Sequence, residues 1–333
     1  MKPKTINSLM SCLRDDKHIK IGGSLQKKKL RYMGYFHGYK GYRYCNSPTT
    51  LLPYTDFNEI QAVYDFDMKI KSLMYPQIMF LETALKNFAL ECILNDCNSK
   101  RFADVFANCL TNYKSFSIGT SKYAEAMNKR LKLREHIYST ISRDYKKSLV
   151  SHYYDKDEPV PVWAIFELIS LGEFGTFLSC LNNKIKVDLS KSIGIKTSDD
   201  PDGKFPEMLV FAIKDLRNAI AHNGTVFDTR FKTSNINKRL PAYIGKETGI
   251  SNINFDSIVD YVILIAFLLK ILKCNKTDII NFITDFEKIC ESLYKQVPTN
   301  IYMRIVYTDT RNKLNLLKLF CKKIKYCSII TIA

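Results

Sequence analysis

From Phe57 to Leu94 one apolar stripe returns with the period of an α-helix, and a stripe that long commits the chain to a helical fold. Ile60, Val63, Tyr64, Phe66, Ile70, Leu73, Met74, Ile78, Leu81, Leu85, Phe88 and Leu90 form its expected buried side. Thr55 and Asp56 stand where an N-cap is needed, with Glu59 behind them. Pro76 lies inside the pattern; it removes an amide donor and crowds the preceding turn, so it is expected to kink the helix or split it in two. Glu82 is the one acidic residue between Pro76 and Leu90, and it is either solvated or a polar partner for the helix that carries Arg217 and His222.

The remaining segments agree with a helical chain. Helices are expected around Ile6 to Leu13, before a Gly22-Gly23 break, and then over 101–110, 123–149, 163–181, 258–272, 277–293 and 311–326. Trp163, Phe166, Leu168, Ile169, Phe174 and Phe177 are expected to supply core. A polar loop should reach Lys204, and 225–254 reads as a long loop. No convincing alternating strand, internal repeat, Gly-rich phosphate loop or Gly-x-Ser-x-Gly elbow occurs. The fold class is therefore all-α.

At 333 residues the chain can form one large domain or two modest ones, so its charge says more than its size. Fifty Lys and Arg against 33 Asp and Glu give a formal net charge of +17, which favours a polyanionic partner, nucleic acid ahead of an acidic membrane surface. The longest apolar run, Ile258 to Leu272, is interrupted by Asp260 and Lys270 and is shorter than the roughly 20 residues of a membrane span. It reads as a buried helix. Residues 1–20 have no sustained apolar core of the signal-peptide kind. Ten scattered cysteines, with no Cys-x-x-Cys pair and no zinc spacing, read as reduced thiols, and a cytoplasmic location with no metal or other cofactor is expected.

Two stretches concentrate the positive charge. Lys27, Lys28, Lys29, Arg31, Lys40 and Arg43 alternate with Tyr32, Tyr35, Phe36, His37, Tyr39, Tyr42 and Tyr44. Cations for phosphates beside rings for bases suit a single-stranded nucleic-acid surface, although tyrosines at helical spacing also suit the packing of a small subdomain. The second stretch, within 123–149, carries Lys129, Arg130 and Arg134, either as a solvated face or as an RNA-contacting one.

The most chemically suggestive segment is a helix expected from about Pro206 to His222, stopped by Asn223-Gly224. Leu209, Ile213, Leu216 and Ile220 make its apolar stripe, and Glu207, Lys214, Asp215, Arg217, Asn218 and His222 make the polar face. Five residues separate Arg217 from His222, which sets them roughly 140° apart with Asn218 between. RNA carries its own nucleophile in the 2′-OH, so cleaving it requires proton transfer and stabilisation of a charged phosphorane. Histidine titrates near pH 6.5 and can move the proton, and arginine offers a fork for phosphate. Alternatively, His222 simply ends the helix and Arg217 pairs with Asp215 or Glu207.

Arg217-Asn218-Ala219-Ile220-Ala221-His222-Asn223 resembles the Arg-Asn-x-x-x-His motif of HEPN domains, named for higher eukaryotes and prokaryotes nucleotide-binding. Three other stretches look like the Abi-like branch of that superfamily, the abortive-infection D/F type: Gly34 to Arg43, Tyr64 to Lys71 leading to Leu81-Glu82, and Pro161 to Gly172. The resemblance spans about 25–272 in the family's order. It implies an all-α HEPN-type helical bundle with an N-terminal basic and aromatic helical extension (1–54) packed on the core, a HEPN-like domain (55–300) with extra helices, and a basic helical tail (301–333). It further implies a homodimer or higher homo-oligomer in which two motifs meet, and a metal-independent endoribonuclease of abortive infection. In that reading Arg217, His222 and Asn218 are catalytic, Glu82 and Asn223 support them, and RNA is the substrate and also, as a small noncoding RNA, an antitoxin. Two departures stand out: Pro76 interrupts a helix the family usually keeps continuous, and Asn223 occupies a position where a second histidine is common. The competing expectation is an RNA-binding defence or regulatory protein that holds a structured RNA with little or no catalysis.

Overall fold

Side-chain oxygens of Thr5, Thr120, Ser170, Asn182, Ser257 and Asn275 each accept a backbone amide at the head of a helix, supplying partners that a first turn lacks. The computed structural model describes residues 5–323, and among them no strand forms, only three isolated bridges. The helices are α1 Ile6–Ser11, α2 Gly23–Tyr35, α3 Phe57–Cys97, α4 Phe102–Asn108, α5 Ser121–Arg143, α6 Ser148–Tyr154, α7 Val162–Leu168 and α8 Leu171–Cys180. They continue with α9 Asn183–Ser192, α10 Phe205–Ala221, α11 Arg239–Thr248, α12 Ile258–Ile271, α13 Lys276–Tyr294, α14 Thr299–Ile305 and α15 Thr310–Lys322. The all-α expectation holds.

The chain divides into two compact units, one of residues 1–77 with 215–333 and the other of 78–214. In the first, α12 is buried from Ile258 to Leu269, with α13 and α15 packed against it. Its one acid, Asp260, is fully buried, pairs with Lys313 of α15 at 3.0 Å and accepts the amides of Asn254 and Phe255. Lys270 caps the far end of α15 by donating to the Cys321 and Lys323 carbonyls. In the second unit α5 packs on α7 and α8, and Phe166 meets Phe174 and Phe177 edge-on at 5.3 and 5.0 Å.

Several sequence expectations are corrected. Pro76 does not split α3. The carbonyl it deprives of a donor belongs to Ser72, which is exposed along with Pro76, so water can replace the missing amide. The helix expected over 163–181 is two, because Ile169 and Ser170 are extended and Ser170 and Glu173 form a capping box that starts α8. Trp163 is 40% exposed and is no core residue. The basic helix expected to Leu149 stops at Arg143, and α6 follows. The expected loops before Lys204 and over 225–254 contain α9 and α11. Residues 324–326 of the expected tail helix lie outside the described residues.

Candidate functional site

α10 begins at a cap made by Asp200, whose carboxylate accepts the amides of Lys204 and Phe205 and the Ser190 hydroxyl at 2.8 to 3.0 Å. Leu209, Val210, Ile213 and Leu216 are fully buried, so the apolar stripe fixes how the helix is turned. At its other end Asn223 takes a left-handed conformation, φ 54°. Its amide bonds the Ile220 carbonyl at 3.1 Å, and the Gly224 amide bonds that of Ala219 at 2.7 Å. This paired closure satisfies the last carbonyls and stops the helix beside His222.

The four residues at this end sit differently. Arg217 is half-buried and donates from Nη1 to Asn218 Oδ1 at 3.4 Å; Asn218 is exposed. The His222 imidazole is exposed and has no hydrogen bond or ion pair among the described residues. Asn223 is exposed as a residue, yet its Oδ1 accepts Lys71 Nζ at 3.0 Å. Asp215 is not on a solvated face: it is buried and accepts the Thr233 amide and hydroxyl at 2.8 and 2.9 Å. Nor is Glu82 solvated, since it is buried and paired with Lys86 at 3.0 Å, while Lys86 also donates to the Ile169 carbonyl. Half-burial pushes the Glu207 carboxyl up from its usual range, with nearby Lys186 opposing.

Behind the exit from α10 lies a buried polar network. One oxygen of Asp67 accepts the Val226 and Phe227 amides at 2.6 Å each. The other accepts the Tyr42 hydroxyl and pairs with Lys71, both at 2.7 Å. Asp67 is fully inaccessible and Lys71 is 5% exposed. A carboxylate with four donors, and a lysine that donates to two oxygens and the Met68 sulfur, is how a buried ion pair escapes its desolvation penalty. Burial and Asp67 together push the Tyr42 phenol far above its ordinary value, so it remains a donor. His37 leans on Tyr42 and Tyr64 at ring distances of 6.2 and 6.1 Å. Three stretches singled out along the sequence, 34–43, 64–71 and 217–223, thus meet in one network. Asp67 and Lys71 were missed as functional candidates, although they sit at stripe positions among Ile60, Val63, Ile70 and Met74. A charged i,i+4 pair inside an apolar stripe is the signal that could have found them.

Residues 28–228 match the sequence profile of Abi-like proteins, which is more than half of the chain. The chain belongs to the Abi-like protein family. No curated protein and no solved structure matches it. The family span covers α3 through α10, including Asp67, Lys71 and the Arg217 to Asn223 segment, and leaves α11 to α15 outside.

Inside that Abi-like span the basic residues divide by environment. Lys28, Arg31 and Lys40 are exposed, and Lys27, Lys29 and Arg43 are half-buried. Tyr32 is 73% exposed beneath Lys28 Nζ, 5.7 Å from the ring centre, and Phe36 is 56% exposed; Tyr39 and Tyr42 are buried. Gly34, at φ 69°, breaks the helical course between these groups, where a side chain would be strained. On α5, Lys129 and Arg134 are exposed. Arg130 is committed locally: its guanidinium stacks 3.7 Å from the Phe106 ring centre and donates to the Phe106 carbonyl. Among the described residues no group of three His, Cys, Asp or Glu is placed to hold a metal ion, all nine cysteines are unpaired, and no helix is long and apolar enough to cross a membrane.

Proposed function

We propose that this Abi-like protein is an abortive-infection endoribonuclease of the HEPN kind, with Arg217 and His222 as its catalytic pair and Asn218 between them. The supporting observation is the exposed, unpartnered His222 imidazole held at a closed helix end, one turn beyond the half-buried Arg217. His222 takes the proton from a ribose 2′-OH. Arg217 faces the phosphate as negative charge grows on it, and Asn218 orients that guanidinium. The 2′-oxygen bonds to phosphorus, the 5′-oxygen leaves with a proton, and a 2′,3′-cyclic phosphate results. Departure of the 5′-oxygen calls for an acid as well as a base, so a second copy of the same residues across a two-fold axis completes the site in this reading. The partner RNA and a noncoding RNA antitoxin belong to the same proposal, as does Asn223 as a supporting residue.

The test compares purified wild type, His222→Ala and Arg217→Ala on total cellular RNA, with growth arrest measured in parallel. Each substitution is expected to lower cleavage at least ~100-fold, the weight of a proton-transfer or phosphate-binding group. Equal cleavage and equal arrest by His222→Ala would remove the catalytic reading. A monomeric variant with full activity would remove the shared site.

A second reading, an RNA-holding protein with little catalysis, is favoured by one observation: Tyr32 and Phe36 present rings to solvent beside exposed Lys28, Arg31 and Lys40. It predicts tight RNA binding that His222→Ala leaves intact and no cleavage by either protein.

A further inference from the structure

We infer that Lys71 is a positioning residue that sets the direction of the His222 side chain through Asn223; the inference rests on the reading of His222 as the proton-transfer group. Asp67 alone already fixes residues 226–227 and Tyr42. The bond from Lys71 to Asn223 Oδ1 does something else: it runs from a buried cation to the side chain of an exposed turn residue, 152 positions along the chain. For stopping a helix in the left-handed conformation glycine is the cheaper residue, since it has no Cβ to strain. Asparagine at that place adds a side-chain amide that glycine lacks, and Lys71 donates to its oxygen.

The geometric consequence falls on the neighbour. His222 and Asn223 share one planar peptide, and the Asn223 amide is tied to the Ile220 carbonyl while its side chain is tied to Lys71. Two anchors on one residue, at its amide and at its side chain, leave that peptide little freedom, so the Cα–Cβ direction of His222 is held even though the ring has no partner of its own. Lys71 can act as an anchor because it is itself immobile, 5% exposed and 2.7 Å from the Asp67 carboxylate. A misplacement on the order of 1 Å at a reacting group can cost about 100-fold in rate, so holding the backbone under an exposed histidine has kinetic weight.

Asn223→Gly is the decisive variant, because it keeps the left-handed turn and deletes the side chain that carries the acceptor. Relief of the left-handed strain offsets the loss of one acceptor from the buried Lys71, so the variant should melt within a few degrees of the wild-type temperature. In RNA cleavage kcat should fall roughly 10- to 100-fold with KM within about twofold. Asn223→Asp keeps an oxygen for Lys71 and should restore kcat to within about threefold of wild type. The catalysis-independent readout is the NMR signal of the His222 ring and the hydrogen exchange of the His222 amide. Asn223→Gly and Lys71→Met should both broaden the ring signal and speed exchange, and Asn223→Asp should do neither. The inference is overturned if Asn223→Gly leaves the His222 signals and exchange as in wild type, or leaves kcat unchanged while His222→Ala is inactive. A fully active His222→Ala would remove the catalytic reading alone, and the NMR comparison would still decide whether Lys71 orders His222.

Discussion

His37 packs on Tyr42 of the Asp67 network at a ring distance of 6.2 Å, and its Nδ1 is buried without a hydrogen-bond partner. Burial lowers its pKa below the usual histidine value, the Lys71 ammonium lowers it further, and Asp67 opposes them. A histidine depressed in the folded state binds fewer protons there than in the unfolded chain, so stability increases with pH across the window between the folded value and about 6.5. It is fully present above that window and is lost as pH falls through it. The melting temperature should therefore drop as pH falls below about 6.5, and His37→Phe, which keeps the ring packing, should flatten that drop. An equally steep profile in His37→Phe would assign the acid sensitivity to another group. The His37 environment was not legible along the chain, because Lys71 and Asp67 lie 34 and 30 positions away in sequence and act on it only through folding. The same holds for Asp215. Helical geometry placed it on the polar face, and Thr233 buried it by supplying both an amide and a hydroxyl. By contrast Arg217, Asn218 and His222 were read correctly as polar, since the apolar stripe of Leu209, Ile213 and Leu216 alone decides which way that part of α10 turns.

α3 shows what periodicity decides for a whole element and what it leaves open. The stripe from Ile60 to Leu85 gave the helix, and the Thr55-Asp56 cap with Glu59 reaching back to both amides gave its start. The penalty of Pro76 depends on whether water reaches the abandoned carbonyl, and exposure is a property of the folded chain, not of the pattern along it. Pro76→Ala should restore an amide bond to Ser72 and raise unfolding free energy by about 1–3 kcal/mol, read by denaturant titration at unchanged slope. A loss of stability would mean that Pro76 has a packing role. The helices that went unread are short and carry turn-forming residues inside. α11 holds Pro241 and Gly245, and its left-handed Gly249 is the only conventional stop. α9 buries only Ile185, Lys186, Leu189 and Ser190, too thin a stripe to stand out among its lysines. α14 follows Pro298 at its cap and buries only Ile301 and Ile305. In each, tertiary burial rather than local propensity makes the helix.

Over the whole molecule the net charge of +17 decides more than any single lysine. Closure of the first unit, through Asn46 to Asp228 at 2.8 Å and Asn46 to Tyr307 at 2.6 Å, is likewise a property that no reading along the chain displays. Binding driven by such charge releases counterions, so log Kd against log salt should be linear, with a slope of about 0.7 per phosphate contact on single-stranded RNA. Replacing the exposed Lys28, Arg31 and Lys40 together by serine should lower that slope by about 2, one contact's share for each residue, equally for unrelated RNA sequences. Tyr32→Ala acts through a ring rather than a charge. It should weaken binding by about 1–3 kcal/mol and leave the slope unchanged, because a stacked base releases no ions. Both are read by fluorescence anisotropy with a short labelled RNA across a salt series. A triple variant with the wild-type slope would move the RNA off the α2 surface, and an altered slope in Tyr32→Ala would mean that its ring supports the neighbouring cations, as the 5.7 Å approach of Lys28 allows, instead of a base.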